Sequence, residues 1–327
     1  MKGLAKTSLH VLPVLLCRKG EGLLLLRRVM IVVWLLLLTI SFACNSGPKP
    51  ALEGPVTRQL TDDAGRRVSL PARVTRVVAL APNLTEIVFA VGAGDKLVGR
   101  TSYCDYPPEA KSIAVVGDTL HPSLERIIAL KPQVALISTA SQLEVFTQQL
   151  QSQNIAVFVT DPHDLEGVFH SIQQIGEMMG QKEQADLLVT KLRERTNAVE
   201  HAVKDKEPVR TFYQVSGTPL YTAGHDAFVT DLMRRAGITS VTADVPGAWP
   251  KYSNESALAT KPEAIILPTG GSMGSANSDV TEALSQSPAV LKGRVYKIND
   301  DYLTRPGPRA IDGIEAMARA LHPDAFK

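Results

Sequence analysis

The sequence predicts an α/β protein of two similar lobes, with mainly parallel sheets flanked by helices and one long rigid helix joining the lobes. Three observations carry this. A segment occurs twice, 130 residues apart. Ser123-Leu124-Glu125-Arg126-Ile127-Ile128-Ala129-Leu130-Lys131-Pro132 precedes the apolar run Val134–Ile137, and Ser253-Asn254-Glu255-Ser256-Ala257-Leu258-Ala259-Thr260-Lys261-Pro262 precedes Ala264–Leu267. Short apolar runs alternate with helical patterns, which argues for parallel sheets covered by helices. Between the two alternating halves, Lys182–Lys204 contains no Pro or Gly and is rich in good helix formers.

The elements follow in order. Gln59–Pro71 reads as a small hairpin with Asp63-Ala64-Gly65 near its turn. Val74–Leu80 is a buried-type strand. Asn83 is expected to cap a helix running to Val91, stopped by Gly92 and Gly94. Leu97–Thr101 is a short strand and Tyr103–Pro108 a loop. Helix Ser123–Leu130, strand Val134–Ser138, helix Ser141–Gln151 and strand Ala156–Thr160 follow, and Asp164 caps another helix. The linking helix carries an apolar stripe read as Leu187, Leu188, Leu192, Val199 and Val203. At 1.5 Å per residue it would be roughly 35 Å long. The alternation then resumes with strand Val209–Val215, helix Asp226–Ala236, the repeated helix from Ser253, strand Ala264–Leu267, helix Val280–Leu284, strand Arg294–Ile298 and helix Pro308–Leu321. A fainter echo, Thr85-Glu86-Ile87 before Gly92 and Thr230-Asp231-Leu232 before Gly237, supports the duplication. The expected organisation is a signal segment at 1–43, a tether at 44–58, an N-terminal lobe at 59–179, the linking helix at 180–206 and a C-terminal lobe at 207–327.

The chain has 327 residues and a formal charge of +2. Residues 1–43 hold six Lys and Arg and one Glu, so the remainder is weakly acidic, which argues against nucleic acid as partner. Arg27-Arg28 precede the uncharged run Val29–Ala43, which is short of the roughly 20 residues that span a bilayer as a helix. A charged start, an apolar stretch and a small residue at the cut describe a secretory signal. Cys44, directly after the cut, matches a bacterial lipoprotein signal and is the expected lipidation site, although Ser41 stands where Leu is usual. A plain secretory signal, an uncleaved anchor and a start at Met30 are the alternatives. The three Cys, at 17, 44 and 104, exclude a disulfide framework.

Common catalytic signatures are absent: there is no G-x-S-x-G, H-E-x-x-H, C-x-x-C or Walker lysine. Gly92-Ala93-Gly94 lacks the third Gly of a dinucleotide fingerprint, and Pro268–Ser275 reads as a connecting loop. No enzyme and no cofactor are expected. The loops after strands carry Tyr103, Tyr106, Asp118, His121, Tyr221, Trp249, Asp301, Tyr302, Arg305 and Arg309. In open α/β sheets ligands bind beyond the carboxyl ends of strands, and aromatic faces with a few fixed polar groups suit a large organic ligand. His121 and Cys104 have metal-ligating side chains, but no second His or carboxylate lies at metal spacing, so no metal is expected. His163, at a helix start, reads as structural.

Ala79-Leu80-Ala81-Pro82-Asn83-Leu84-Thr85-Glu86, Gly99–Pro108 and Leu124-Glu125-Arg126-Ile127 resemble the helical-backbone class of periplasmic binding proteins, which serve ABC importers for cobalamin, haem and ferric siderophores. The likeness extends from about Thr57 to the C-terminus. The loops Tyr103–Pro108 and Asp301–Arg309 look most like the cobalamin-binding branch. The resemblance implies two lobes with ligand between them and Tyr103, Trp249, Asp301 and Arg305 in the pocket. Tyr106, Tyr221 and Tyr302 join them as candidates from their place at strand ends. It also implies that Glu125 and Glu255 dock onto arginines of the permease. An exposed Glu in a first helical turn is favoured by the helix dipole alone. One departure concerns the ligand: Asp118-Thr119-Leu120-His121 lacks the Trp that cobalamin binders often place there. The expectation is a monomeric, extracytoplasmic, lipid-anchored binding protein for cobalamin or a related corrinoid. Haem or a ferric siderophore is the alternative ligand, and an α/β enzyme on a two-lobed scaffold the alternative class.

Overall fold

The computed structural model describes residues 57–138, 144–270 and 279–327. The signal segment, Cys44 and all but the end of the tether lie outside these residues, as does most of the Gly-rich loop after Pro268.

Strands β1 (Thr57–Thr61) and β2 (Arg67–Pro71) form the expected antiparallel hairpin. Gly65 takes the left-handed conformation its turn requires, with φ 73°. The first lobe is built on a four-stranded parallel sheet of β3 (Val77–Ala79), β4 (Leu97–Arg100), β5 (Val134–Ser138) and β6 (Ala156–Thr160), in the order β4-β3-β5-β6. Its central strands are apolar but for Ser138 at the end of β5, because helices cover both faces. Those helices are α1 (Pro82–Ala90), α2 (Leu124–Ala129), α3 (Glu144–Ser152) and α4 (Leu165–Met178). Asp164 caps α4 as expected, accepting from Gly167 N at 2.8 Å. Asn83 does not cap α1. Pro82 occupies the first helical position, where its missing N–H costs nothing, so Asn83 stands inside the helix. Its amide instead donates to Pro306 O of the other lobe at 3.3 Å.

The second lobe contains β7 (Val209–Gly217), β8 (Leu220–Thr222), β9 (Ile238–Ser240), β10 (Ala264–Thr269) and β11 (Val295–Asn299). The order is β11-β10-β7-β8, with β9 parallel to the first half of β7 and β8 antiparallel to its second half. Strands β8 and β9 were not expected, because three residues are too few to show a period. Around the sheet lie helix α6 (Phe228–Arg235), α7 (Asn254–Ala259), α8 (Pro288–Leu291), α9 (Asp300–Thr304) and α10 (Ala310–Leu321). The helix expected at Val280–Leu284 is a single 3-10 turn, Glu282–Leu284. Ser287 and Pro288 immediately start α8 and leave no room for more.

The duplicated segment is duplicated in conformation. Ser123 and Ser253 each cap their helix, accepting from the N–H three residues on. Lys131 and Lys261 share a φ of 47°, which non-glycine residues seldom adopt. Arg76 and Arg210 close the two helix ends by donating to the carbonyls of Leu130 and Thr260.

Helix α5 (Lys182–Val203) runs between the lobes. Its buried stripe is Ala185, Val189, Leu192, Thr196, Val199 and Val203, a spacing of three and four residues. Leu187, expected on that stripe, falls off the spacing and is 62% exposed. One continuous apolar core passes from β3, α1 and α4 through α5 to β7, α6 and α10. Arg193 pairs with Glu166 of the first lobe at 2.5 Å, and Arg195 with Asp312 and Glu315 of the second at 2.7 and 2.9 Å. The lobes therefore share one core and do not swing on a bare hinge.

Helices α4 and α5 meet at Gly176. A Cβ there would stand 2.3 Å from that of Ala185. Gly176→Ala is expected to overpack this contact and cost about 1–3 kcal/mol, read as a lower Tm in a thermal melt. Asp231 of α6 fastens the lobes directly: it accepts from Leu165 N at 3.1 Å and from Arg235 Nε at 2.9 Å. Burial pushes its carboxyl up, but these donors outweigh burial and hold it below the usual 3.8. Its stabilisation is present above that value and is lost as pH falls through the lowered one. An acid melt should therefore show an unfolding step below pH 3.8 that shrinks in Asp231→Asn.

Candidate ligand-binding cleft

Both sheets point the carboxyl ends of their strands at a common cleft of about 920 Å³. This lies toward the upper end of small-molecule pockets, roughly 300–1,000 Å³. The first lobe contributes Ala81, Pro82 and Asn83 after β3, Ser138 at the end of β5, and Asp161, Pro162 and His163 after β6. Thr119 comes from the loop before α2. The second lobe contributes Tyr213, Val215 and Ser216 of β7, Phe228 of α6, Trp249, Pro268 of β10, and Asp300, Thr304 and Arg305 after β11.

Each aromatic wall residue has a local reason for its place. Tyr213 is fully buried on β7, and Trp249 leans over it with ring centroids 6.4 Å apart. The Trp249 loop is held against the strand ends because Gly224 N donates to Ala248 O at 3.0 Å and Thr222 N to Pro250 O at 3.2 Å. Trp249 remains 42% exposed, with a face available to the cleft.

At one edge of the cleft the lobes are clasped by charge. Glu86 of α1, which is buried, accepts from Arg309 Nη2 at 2.6 Å, Arg309 Nε at 2.9 Å and Arg305 Nη1 at 3.2 Å. Arg305 is 6% exposed and also meets Asp105 at 3.1 Å and Asp301 at 2.8 Å. Arg309 lies over the Tyr106 ring at 4.1 Å and near the Tyr302 ring at 5.4 Å. Such charge-assisted, forked contacts are the strong class of hydrogen bond. The Glu86 and Asp231 positions, which echo one another in sequence, each reach across to the opposite lobe.

The seven expected ligand residues thus divide. Trp249 and Arg305 line the cleft. Tyr103, Tyr106, Asp301 and Tyr302 gather around the two guanidinium groups at its edge, Tyr103 through its carbonyl at 3.5 Å from Arg305. Tyr221 is not among the lining residues; its backbone bridges Lys251. Tyr213, Phe228, Asp161 and Asp300 line the cleft without having been singled out. Tyr213 and Asp161 sit in or next to strands whose apolar pattern reads as plain core. His163, read as structural, also lines the cleft, 3.3 Å from Asp161. His121 is exposed and sits 3.3 Å from Asp118, whose side chain accepts from the Leu120 and His121 N–H groups. Among the described residues no three His, Cys, Asp or Glu cluster as metal ligands would. Cys104 is buried against Thr101 Oγ1 at 3.1 Å.

Glu125 and Glu255 are both exposed in the first turns of α2 and α7, away from the cleft lining. Among the described residues neither carboxylate has an ion-pair partner.

Two lobes sharing a core, with a wide aromatic cleft at the strand ends, define a ligand-capturing protein. Residues 77–302 match the periplasmic binding protein family, and the chain belongs to that family, in its helical-backbone class. It is 32% identical over 280 residues to the uncharacterised ABC transporter substrate-binding lipoprotein YvrC of Bacillus subtilis, covering 84% of this chain and 87% of that protein. It is 30% identical to the vitamin B12-binding protein of Photorhabdus laumondii, covering 78% and 90%. Among solved structures it resembles the periplasmic vitamin B12 binding protein BtuF of Vibrio cholerae, with TM-score 0.68, 26% identity and coverage of 78% and 99%. The heme-binding RhuT of Roseiflexus has the same fold at TM-score 0.68 and 23% identity, covering 77% and 99%. The chain is a substrate-binding protein of this extracytoplasmic class, whose members bind small molecules.

Proposed function

We propose that this protein captures cobalamin or a related corrinoid in the inter-lobe cleft and presents it to an ABC permease. The observation that carries the choice of ligand is the charge of the cleft. Its described lining holds three carboxylates, Asp161, Asp226 and Asp300, against one guanidinium, Arg305. That guanidinium already faces Glu86, Asp105 and Asp301. A ligand bearing carboxylates, such as haem with its two propionates, would enter an acidic site and find no unmatched lysine or arginine among the described lining residues. A corrinoid presents amides and a large apolar ring edge, which suit Trp249, Phe228 and Tyr213. The vitamin B12-binding relatives support the same choice.

Delivery is assigned to Glu125 and Glu255. One exposed carboxylate per lobe, on equivalent helices, gives a two-point charge pattern that a two-fold permease with arginines could read. Cys44 is the proposed lipid anchor, and Cys44→Ala should abolish incorporation of labelled fatty acid. For the ligand, protein purified from cells fed a corrinoid is expected to carry its visible absorption bands. Protein that instead emerges with a haem Soret band would refute the assignment.

A further inference from the structure

The cleft contains a polar pair that the clasp and the aromatic walls leave unused. Tyr213 is fully buried, yet its hydroxyl has no hydrogen-bond partner among the described residues. Trp249 leans over its ring, and the apolar Val215 and Phe228 line the same cleft. A buried hydroxyl without a partner costs about 1–3 kcal/mol, so such groups are usually satisfied. Asp300, at the start of α9, lines the same cleft. Burial pushes the Asp300 carboxyl up, partly opposed by Thr304, and Asp301 beside it pushes the same way. The cleft wall thus carries a buried O–H without a partner and a partly buried carboxylate. A carboxamide answers both: its carbonyl accepts from the hydroxyl and its N–H donates to the carboxylate. A ligand carboxylate would be repelled by Asp300, and a plain hydrocarbon would leave both groups unsatisfied.

We infer that Tyr213 and Asp300 form an amide-reading subsite on the second lobe, the hydroxyl donating to a ligand amide carbonyl and the carboxylate accepting its N–H. This rests on the binding-protein reading above and narrows its ligand to amide-bearing molecules. A cobalt-corrin ligand is one such class and an amide-rich siderophore another.

The test uses the mature protein, its Tyr213→Phe and Asp300→Ala variants, and three probes: cyanocobalamin, the hydroxamate siderophore ferrioxamine B with its backbone amides, and haem, which has none. The expected result is that at least one amide-bearing probe binds more tightly than haem. Tyr213→Phe should weaken that probe about tenfold while leaving the ligand-free protein as stable or more so, since the unsatisfied hydroxyl is gone. Asp300→Ala should weaken it similarly. A purely structural role for Tyr213 would lower Tm and affinity together. Binding of ferrioxamine B but not cyanocobalamin, lost in Tyr213→Phe, would support the subsite and refute the corrinoid assignment. Haem binding tighter than both other probes, no saturable binding of either amide-bearing probe, or an amide probe bound within twofold of wild type by both variants, would overturn the subsite.

Discussion

Glu125→Ala combined with Glu255→Ala is expected to leave ligand affinity within twofold of wild type and to abolish uptake by whole cells. Both carboxylates are exposed, both sit in the first turn of equivalent helices, and neither touches the cleft. Removing them should also barely change Tm, because a Glu near an exposed helix N-terminus contributes only about 0.3–1 kcal/mol. The single variants should fall between wild type and the double variant, since each lobe would lose one of two charge-assisted contacts. Uptake measured with labelled cobalamin in a strain lacking other binding proteins separates the possibilities. Wild-type uptake by the double variant would remove the docking role, while lost ligand affinity would show that the helices support the cleft itself.

The second large effect is expected at Glu86. Its carboxylate is buried and satisfies parts of two guanidinium groups, Arg305 and Arg309, that belong to the opposite lobe. Glu86→Ala would remove the carboxylate that the two cations share and leave them facing Asp301 and Asp105. Breaking a buried ion pair by deleting one partner costs about 3–5 kcal/mol. At about 2–4 °C per kcal/mol for a chain of this size, the melting temperature should drop by about 10 °C. The lobes would remain joined through α5 and the shared core, so the variant should fold but open more widely, with faster ligand release. An unchanged Tm in Glu86→Ala would mean that the clasp adds nothing to stability. Replacing Arg309 by Met tests the same link from the other side, because Met keeps apolar contact with the Tyr106 ring without charge.

Much of this architecture was legible in the sequence, and for identifiable reasons. Strands β5 and β6 are continuous apolar runs between turn signals, and their bounds agree with the reading residue for residue. The helix cap Asp164 was readable because a cap depends on one side chain and its own backbone. What depends on distant partners was not readable. Asn83 fits a local capping pattern, but Pro82 displaced it and Pro306, far along the chain, claimed its amide. Leu187 is apolar, but only the packing of α4 and α10 decides which side of α5 is buried.

The candidate site shows the same division. Trp249 and Arg305 stood out as loop residues after strands, and both line the cleft. Tyr213 hides in β7 between the buried Phe212 and Gln214, so its unsatisfied hydroxyl has no sequence signal. Glu86 looked like one member of an internal echo. Its pairing with Arg305 and Arg309 spans more than 200 residues of chain and needs both lobes in place.

We propose that the acidic, aromatic cleft holds a corrinoid. Calorimetric titration of the mature protein with cyanocobalamin, with haem in a parallel cell, tests it most directly. Saturable one-to-one binding of cyanocobalamin at micromolar concentration or tighter, with haem weaker, is the predicted result. No heat or spectral change with cyanocobalamin at micromolar concentration, alongside saturable binding of haem, would contradict it.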